Sequence, residues 1–237
     1  MFSLDDNAII SYGGGVNSTA MALLLVDMSW CGRIIFADTG AEWPDTYEYI
    51  DYFEHEWLQS RELHIERIGA DWRIENKRRG LLEYCEWRLV IPLVHRRWCT
   101  VEYKVKPINR WCKENNVTTQ YIGIAADEAY RQPGAIRPLC DLNITRAGCI
   151  KIIKEHGLNV PPRSKCICCP MQSNAEWRRL WQEHPDVFAR CERLEQNVQR
   201  AKGATWSGVA TLDASGKTTL AMRRDGYERQ ISMEGLE

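Results

Sequence analysis

The feature that most constrains this chain is the junction SYGGGVNSTA, residues 11–20, where three consecutive glycines separate an apolar run from a leucine-rich one. Residues 7–12 (NAIISY) and 32–38 (GRIIFAD) are short, β-branched and bounded by Gly or Asp, so they read as buried strands. Between them, residues 18–29 (STAMALLLVDMS) are rich in helix formers and open on Ser and Thr, which predicts a helix crossing from one strand to the next. A strand that ends in glycines and turns directly into a helix lets the backbone come close to a ligand. It aims unpaired amide N–H groups and the positive helix end at that ligand. Gly13, Gly14 and Gly15, with Asn17 and Ser18, are therefore expected to cradle an anion, phosphate above all.

The same alternation continues downstream. A helix follows Pro44 (PDTYEYIDYFEHEWLQ), then a strand at 63–68, a helix at 106–116, a fourth strand at 119–124 and a fifth, short edge strand over 136–142 (IRPLCDL). The pattern predicts an α/β fold with a doubly wound, mostly parallel five-stranded sheet and a Cys-rich helical C-terminal region. Expected domains are a nucleotide-binding α/β domain at 1–145, a helical Cys-rich region at 146–202 and a tail at 203–237 of short β-prone pieces around an SG turn. Residues 71–98 interrupt the rhythm with KRRG and several Arg and Trp residues, an excursion expected beside the site. ASGKTT (214–219) does not complete a phosphate loop, because Thr211 stands where its first glycine belongs, and it reads as a hairpin turn.

Composition excludes some classes and leaves others. Lys and Arg number 31 against 32 Asp and Glu, so no global field draws the chain to nucleic acid or anionic lipid, and any polyanion must meet a local patch. No apolar run approaches the roughly 18 residues of a membrane span, and MFSLDDNAII carries acids where a signal peptide needs positive charge. A soluble, cytoplasmic protein is expected. In a reducing compartment the ten cysteines become free thiols or metal ligands rather than disulfides.

CICCP at 166–170 sharpens that question. Cys166 and Cys169 form a C-x-x-C with Cys168 between them and Pro170 behind, as at the C-P end of ferredoxin-type ligand runs. One such pair is half a site. Cys149 and Cys99 are the natural candidates for the rest, with Cys140 a substitute for one of them, while Cys31, Cys85, Cys112 and Cys191 read as small buried hydrophobes. A [4Fe-4S] cluster, a structural zinc ion and a metal-free redox pair all use this spacing.

Asp38 and Thr39 stand at the carboxyl end of the second strand, where open α/β sheets hold ligands. A carboxylate there accepts from a ribose hydroxyl, binds Mg2+, or simply caps a helix. Lys104, Arg131 and, less centrally, Lys106 are placed to reach phosphate oxygens, against the alternative of solvated surface charge. Asp127 and Glu128 are adjacent, so on a strand they would face opposite sides and only one would serve the site.

Four segments together carry a resemblance. The glycine loop resembles the S-G-G-x-D-S loop of the adenine-nucleotide alpha-hydrolase superfamily, with Gly13 in place of the usual Ser and Asn17 in place of the usual Asp. FADTGAEWPDTYEYI (36–50), CTVEYKVKPI (99–108) and GIAADEAYR (123–131) resemble, in order, the D-T-G-x-x-x-P-E-T, C-T-x-x-x-K-x-x-P and G-x-R-x-D-E-S-x-R segments of its PAPS reductase branch. The resemblance implies binding of ATP with Mg2+, attack of a substrate oxygen on the α-phosphate and loss of pyrophosphate. Compact members, DNA phosphorothioation enzymes among them, imply a [4Fe-4S] cluster at the C-terminal C-x-x-C and sulfur transfer to a nucleic acid, with a donor of the cysteine desulfurase type. Two alternatives stand beside this. A sulfonucleotide reductase would need the catalytic cysteine of an E-C-G-[IL]-H segment, and no cysteine follows Cys191. A non-enzymatic, metal-stapled nucleic-acid-binding module would use the Arg and Trp residues of 72–98.

Overall fold

In the computed structural model, the described residues are 4–69, 73–74, 77–78, 80–131, 135–202 and 210–234. The chain divides into two compact units, Met1–Asp71 with Glu102–Ser164 and Trp72–Val101 with Lys165–Glu237.

The first unit is built on four parallel strands, β1 (Ile9–Tyr12), β2 (Arg33–Asp38), β3 (Ile65–Gly69) and, later in the chain, β6 (Gln120–Ile122), in the order β3-β2-β1-β6. Ile10 of β1 pairs with Ile34 on one side and Tyr121 on the other, so β1 is central and donates to two ladders. Side chains alternate across the sheet. Ile10, Tyr12, Ile34 and Phe36 pack against α1 (Val16–Asp27), α2 (Pro44–Phe53) and α7 (Arg146–Glu155). Ile9 and Ile35 face the other way onto Trp111 and Cys112 of α5 (Lys106–Glu114). Both faces of the sheet are covered, which is why its strands read as unbroken apolar runs.

The expected fifth strand is absent among the described residues. Ile136 makes a single parallel bridge to Tyr121, and Pro138 then opens the short helix α6 (Pro138–Asp141). Proline has no N–H to give a ladder, and its fixed φ suits the first turn of a helix instead.

The second unit holds the two-residue strands β4 (Arg73–Ile74) and β5 (Lys77–Arg78), paired antiparallel, and the helices α3 (Leu81–Arg88), α4 (Trp98–Thr100), α8 (Asn174–Glu183), α9 (Pro185–Lys202) and α10 (Leu220–Glu234). The KRRG and Trp72 positions fall partly outside the described residues. A turn forms at Ser215–Gly216, with Gly216 at φ +68° and its N–H on Asp213 O, but no strand flanks it among the described residues, so it is not the expected hairpin. Beyond it the tail is not a set of β pieces. Its last segment is α10, fixed where the buried Glu195 carboxylate accepts from the N–H groups of Leu212 and Leu220, each at 2.7 Å. Leu220 and Tyr227, two turns apart, are its buried stripe. Among the described residues no helix is long and apolar enough to cross a membrane.

Candidate nucleotide and thiol sites

The glycine loop lies at the carboxyl ends of β1, β2 and β6. Gly14 has φ +66°, and a Cβ there would meet Thr46 Cγ2 at 2.9 Å and Ile50 at 3.1 Å, so side-chain-bearing residues are excluded twice over. Gly15 is the N-cap of α1, and a Cβ on it would stand 2.7 Å from Ser164 Oγ. The Ser18 hydroxyl gathers the loop, accepting from Gly13 N at 3.2 Å and Gly15 N at 3.3 Å and donating to Gly15 O at 3.0 Å. Gly123, just past β6, was not singled out from sequence. A Cβ there would lie 2.8 Å from Ser18 N and Cα, so its lack of a side chain lets the strand end touch the loop backbone.

Asn17 is 92% buried (8% exposed). Its amide donates to Glu128 Oε2 at 3.3 Å, while its Oδ1 is buried with no protein partner. A buried acceptor without a donor costs about 1–3 kcal/mol. The Glu128 carboxylate in turn accepts from Arg131 at 2.9 Å. Asp127 turns elsewhere and caps α7 by accepting from Arg146 N at 3.0 Å. The pair lies in a 3-10 turn, Ala126–Glu128, not on a strand, so strand alternation does not separate them; the turn does.

At the end of β2, Asp38 Oδ1 accepts from Gly40 N at 2.8 Å and from the Tyr47 hydroxyl at 2.6 Å. Burial, then the Asp38 carboxylate, pushes the Tyr47 phenol up, so it stays protonated and donating. Thr39 is buried and donates to Glu42 Oε1 at 3.1 Å, and Lys104 Nζ pairs with that same oxygen at 2.9 Å. Glu42 is 3% exposed. A carboxylate so deep persists because it is paired. Lys104 comes from the π-helical turn Val101–Val105. Lys106, two residues on, instead holds the half-buried Glu102, four residues before it, at 2.6 Å. Sequence reasoning missed Glu42 and Tyr47. Only the density of polar residues in DTGAEWPDTY hinted at them.

These groups carry three carboxylates (Asp38, Glu42, Glu128) against two cations (Lys104, Arg131). Each cation already faces an acid. A polyphosphate that brings a divalent cation would meet less repulsion here than a bare one.

The thiols divide between the units. Cys149 is 0% exposed on α7, in the apolar core shared with α1, where burial and then Asp127 push it up to about 11. Cys140 donates to Ile124 O at 3.1 Å in the same unit. The expected ligand Cys149 is thus a core residue of the first unit, while Cys99, Cys166 and Cys169 belong to the second along with Cys85, Cys168 and Cys191. Cys31, expected buried, is exposed beside Asp6.

In the second unit the C-x-x-C closes as a turn, with Cys169 N on Cys166 O at 3.0 Å. Gln172 Nε2 ties it through Ile167 O at 2.8 Å, and Lys165 through Met171 O at 2.9 Å and Glu176 at 2.7 Å. Burial pushes the Cys169 thiol up, opposed by a Met171 N–H and the positive charges of Lys165 and Arg97, with Cys99 acting on it as well. Cys168 is fully buried and raised well above the ordinary thiol range, chiefly by burial, and Cys191 is pushed up to about 12. These sulfurs are protonated at neutral pH, so metal uptake would release protons. Among the described residues no three His, Cys, Asp or Glu side chains converge closely enough to hold a metal ion as the chain stands. Cys99, Cys166 and Cys169 supply thiols, the ligand type that soft metals and iron–sulfur centres take.

A family model described as phosphoadenosine phosphosulfate reductase domain matches residues 7–152, more than half of the chain and the whole of the sheet just described. The chain belongs to that family. As a PAPS reductase-like protein it is 25% identical over 256 aligned positions to an "uncharacterized 37.8 kDa protein in gpa 5'region" of Escherichia phage 186, with 80% of this chain and 75% of the phage protein covered. Among solved structures it is similar to phosphoadenylyl-sulfate reductase from Candida auris in a phosphate complex, with TM-score 0.49, 19% identity and 65% of this chain and 75% of that one covered. It is likewise similar to the U34-tRNA thiolase NcsA of Methanococcus maripaludis with its [4Fe-4S] cluster, with TM-score 0.49, 15% identity, and 82% and 74% covered.

Proposed function

We propose that this PAPS reductase-like protein is an ATP-dependent adenylyl-transferring, pyrophosphate-releasing enzyme that thiolates a nucleic acid. The observation that carries the reading is the glycine loop, pinned at Gly14 and Gly123 by contacts no side chain would allow, with the orphaned Asn17 Oδ1 beside it. In this reading the amides of Gly14, Asn17 and Ser18 hold the β- and γ-phosphates, and those of Gly13 and Gly15 exchange the Ser18 hydroxyl for phosphate oxygens. Asn17 Oδ1 and Glu128 face Mg2+, and Asp38 and Thr39 face the ribose.

A carbonyl oxygen of the acceptor attacks the α-phosphorus, the bond to the β-phosphate oxygen breaks, and pyrophosphate leaves. Lys104 and Arg131 neutralise the charge that builds on the phosphates, exchanging Glu42 and Glu128 for phosphate oxygens. No general base is required of the chain, because the attacking carbonyl oxygen carries no proton. The adenylated carbon is then attacked by sulfur at the hydrosulfide oxidation level, and AMP departs with the original oxygen. Cys99, Cys166 and Cys169 are the thiols proposed to hold a [4Fe-4S] cluster, with zinc the alternative occupant; a bound cluster would supply an iron site for a sulfur ligand. A cysteine desulfurase-type protein is the proposed source of that sulfur, delivered as a persulfide whose outer sulfur leaves as hydrosulfide when an external thiol attacks the inner sulfur and forms a disulfide.

The test is release of pyrophosphate from ATP by the full chain in the presence of RNA or DNA. Acceptor-dependent release lost in Gly14→Ala is expected. Release that ignores both acceptor and loop would refute the proposal.

A further inference from the structure

In the second unit, α3 exposes an aromatic cluster framed by arginines. Trp87 is 45% exposed, the Tyr84 ring lies 6.0 Å from it and 5.7 Å from Trp98, and the Arg88 guanidinium stands 5.0 Å over Trp87. Arg88, Arg96 and Arg97 are all exposed. The acids on the same helix are committed elsewhere. Glu86 forms a two-point pair with Arg190 of α9, both contacts at 2.7 Å, and Glu83 accepts from Gly80 N at 3.3 Å. The Glu86–Arg190 pair and the fully buried Cys85 hold α3 in place, and with it the backbone that carries Tyr84 and Trp87. The chain as a whole carries a net charge of -1, which makes this concentration of guanidinium groups local.

We propose that Tyr84, Trp87 and Trp98, with Arg88, Arg96 and Arg97, form a docking surface for single-stranded nucleic acid. The charge complementarity is to phosphate, and the partly exposed rings offer surface to unpaired bases, which stack on aromatic side chains whatever their sequence. A duplex hides its base faces and satisfies only the arginines. A protein partner would leave the arginines without an evident complement. The proposal rests on the nucleic-acid acceptor proposed above and specifies where that acceptor is gripped and in what form. Trp98 directly precedes Cys99, and Arg97 acts electrostatically on Cys169, so strand and thiols share one region of the second unit.

Fluorescence anisotropy of labelled ribo- and deoxyribo-oligonucleotides of about 15 nucleotides, the upper range for one stacking module, tests this on the full chain. Binding by either strand is expected, with a steep salt dependence and weaker binding of the matching duplex. Trp87→Ala should weaken it about fivefold to a hundredfold and Trp87→Phe far less. Arg96→Ala with Arg97→Ala should flatten the slope of log affinity against log salt by about 1.4. All these side chains are exposed or half-exposed, and circular dichroism confirms folding of each variant. Absence of oligonucleotide binding at low salt, capture of a polypeptide instead, or Trp87→Ala binding as tightly as wild type would overturn the proposal. Pyrophosphate release is read separately. Binding without acceptor-dependent release refutes the enzymatic reading and leaves the surface standing, and release without Trp87-dependent binding refutes the surface alone.

Discussion

Replacing Gly14 by alanine is the sharpest perturbation the first unit offers. Two costs add. An L-residue at φ +66° pays about 1–2 kcal/mol for the left-handed conformation. The new Cβ would lie 2.9 Å from Thr46 Cγ2 and 3.1–3.2 Å from Ile50, in a packed corner where α2 has little room to retreat, for a further ~1–3 kcal/mol. Gly157 separates the terms. It has φ +72° with nothing within 4 Å of a Cβ, so Gly157→Ala should pay the first cost alone. Gly14→Ala should therefore lose roughly 2–5 kcal/mol, on the order of 10 °C in Tm for a chain of this size, and Gly157→Ala about 1–2 kcal/mol. Urea and thermal denaturation measure both. With MgATP present, wild type and Gly157→Ala should gain stability and Gly14→Ala should not. Equal losses in the two variants, or an undiminished nucleotide shift in Gly14→Ala, would refute the reasoning.

Other outcomes follow from the same geometry. Lys104→Met removes the cation paired with the buried Glu42 carboxylate and should cost about 2 kcal/mol, less than a fully buried pair because Lys104 is partly solvated; adding Glu42→Gln should recover most of it in denaturant titrations. Asn17→Asp removes the amide that donates to Glu128 and sets two carboxylates together, so the apo protein should lose ~1–3 kcal/mol by thermal melting and regain it on addition of Mg2+, more than wild type gains. Cys166→Ala with Cys169→Ala should abolish bound iron or zinc by elemental analysis of anaerobically purified protein, whereas Cys149→Ala should leave metal content unchanged and lower stability.

The parts of the fold that sequence made legible are those fixed by local chemistry. The strand–glycine–helix junction, the Thr145 cap that opens α7 and the left-handed Gly157 that closes it all depend on residues a few positions apart. Pro138 is tolerated in an edge strand, which is how IRPLCDL reads, yet its missing N–H and fixed φ suit a helix start equally, and only the fold decides between them. α10 was hidden by Gly226 in its interior and by threonines before it, and it is held by a carboxylate on α9, a long-range contact no local pattern reports. At the candidate site the glycines were legible because backbone geometry demands them. Glu42 was not, because its burial depends on Lys104 arriving from a distant turn. Cysteine spacing identified the 166–169 turn, but spacing carries no information on burial, which is what assigns Cys149 to the core.

The central claim is that loop amides hold the phosphates of an adenine nucleotide. Amide-resolved NMR of the full chain titrated with MgATP tests it most directly. Shifts concentrated at Gly13, Gly14, Gly15, Asn17, Ser18 and Gly123, saturating at one nucleotide per chain, are the result the account predicts. A titration that leaves those amides unmoved while others shift would contradict it.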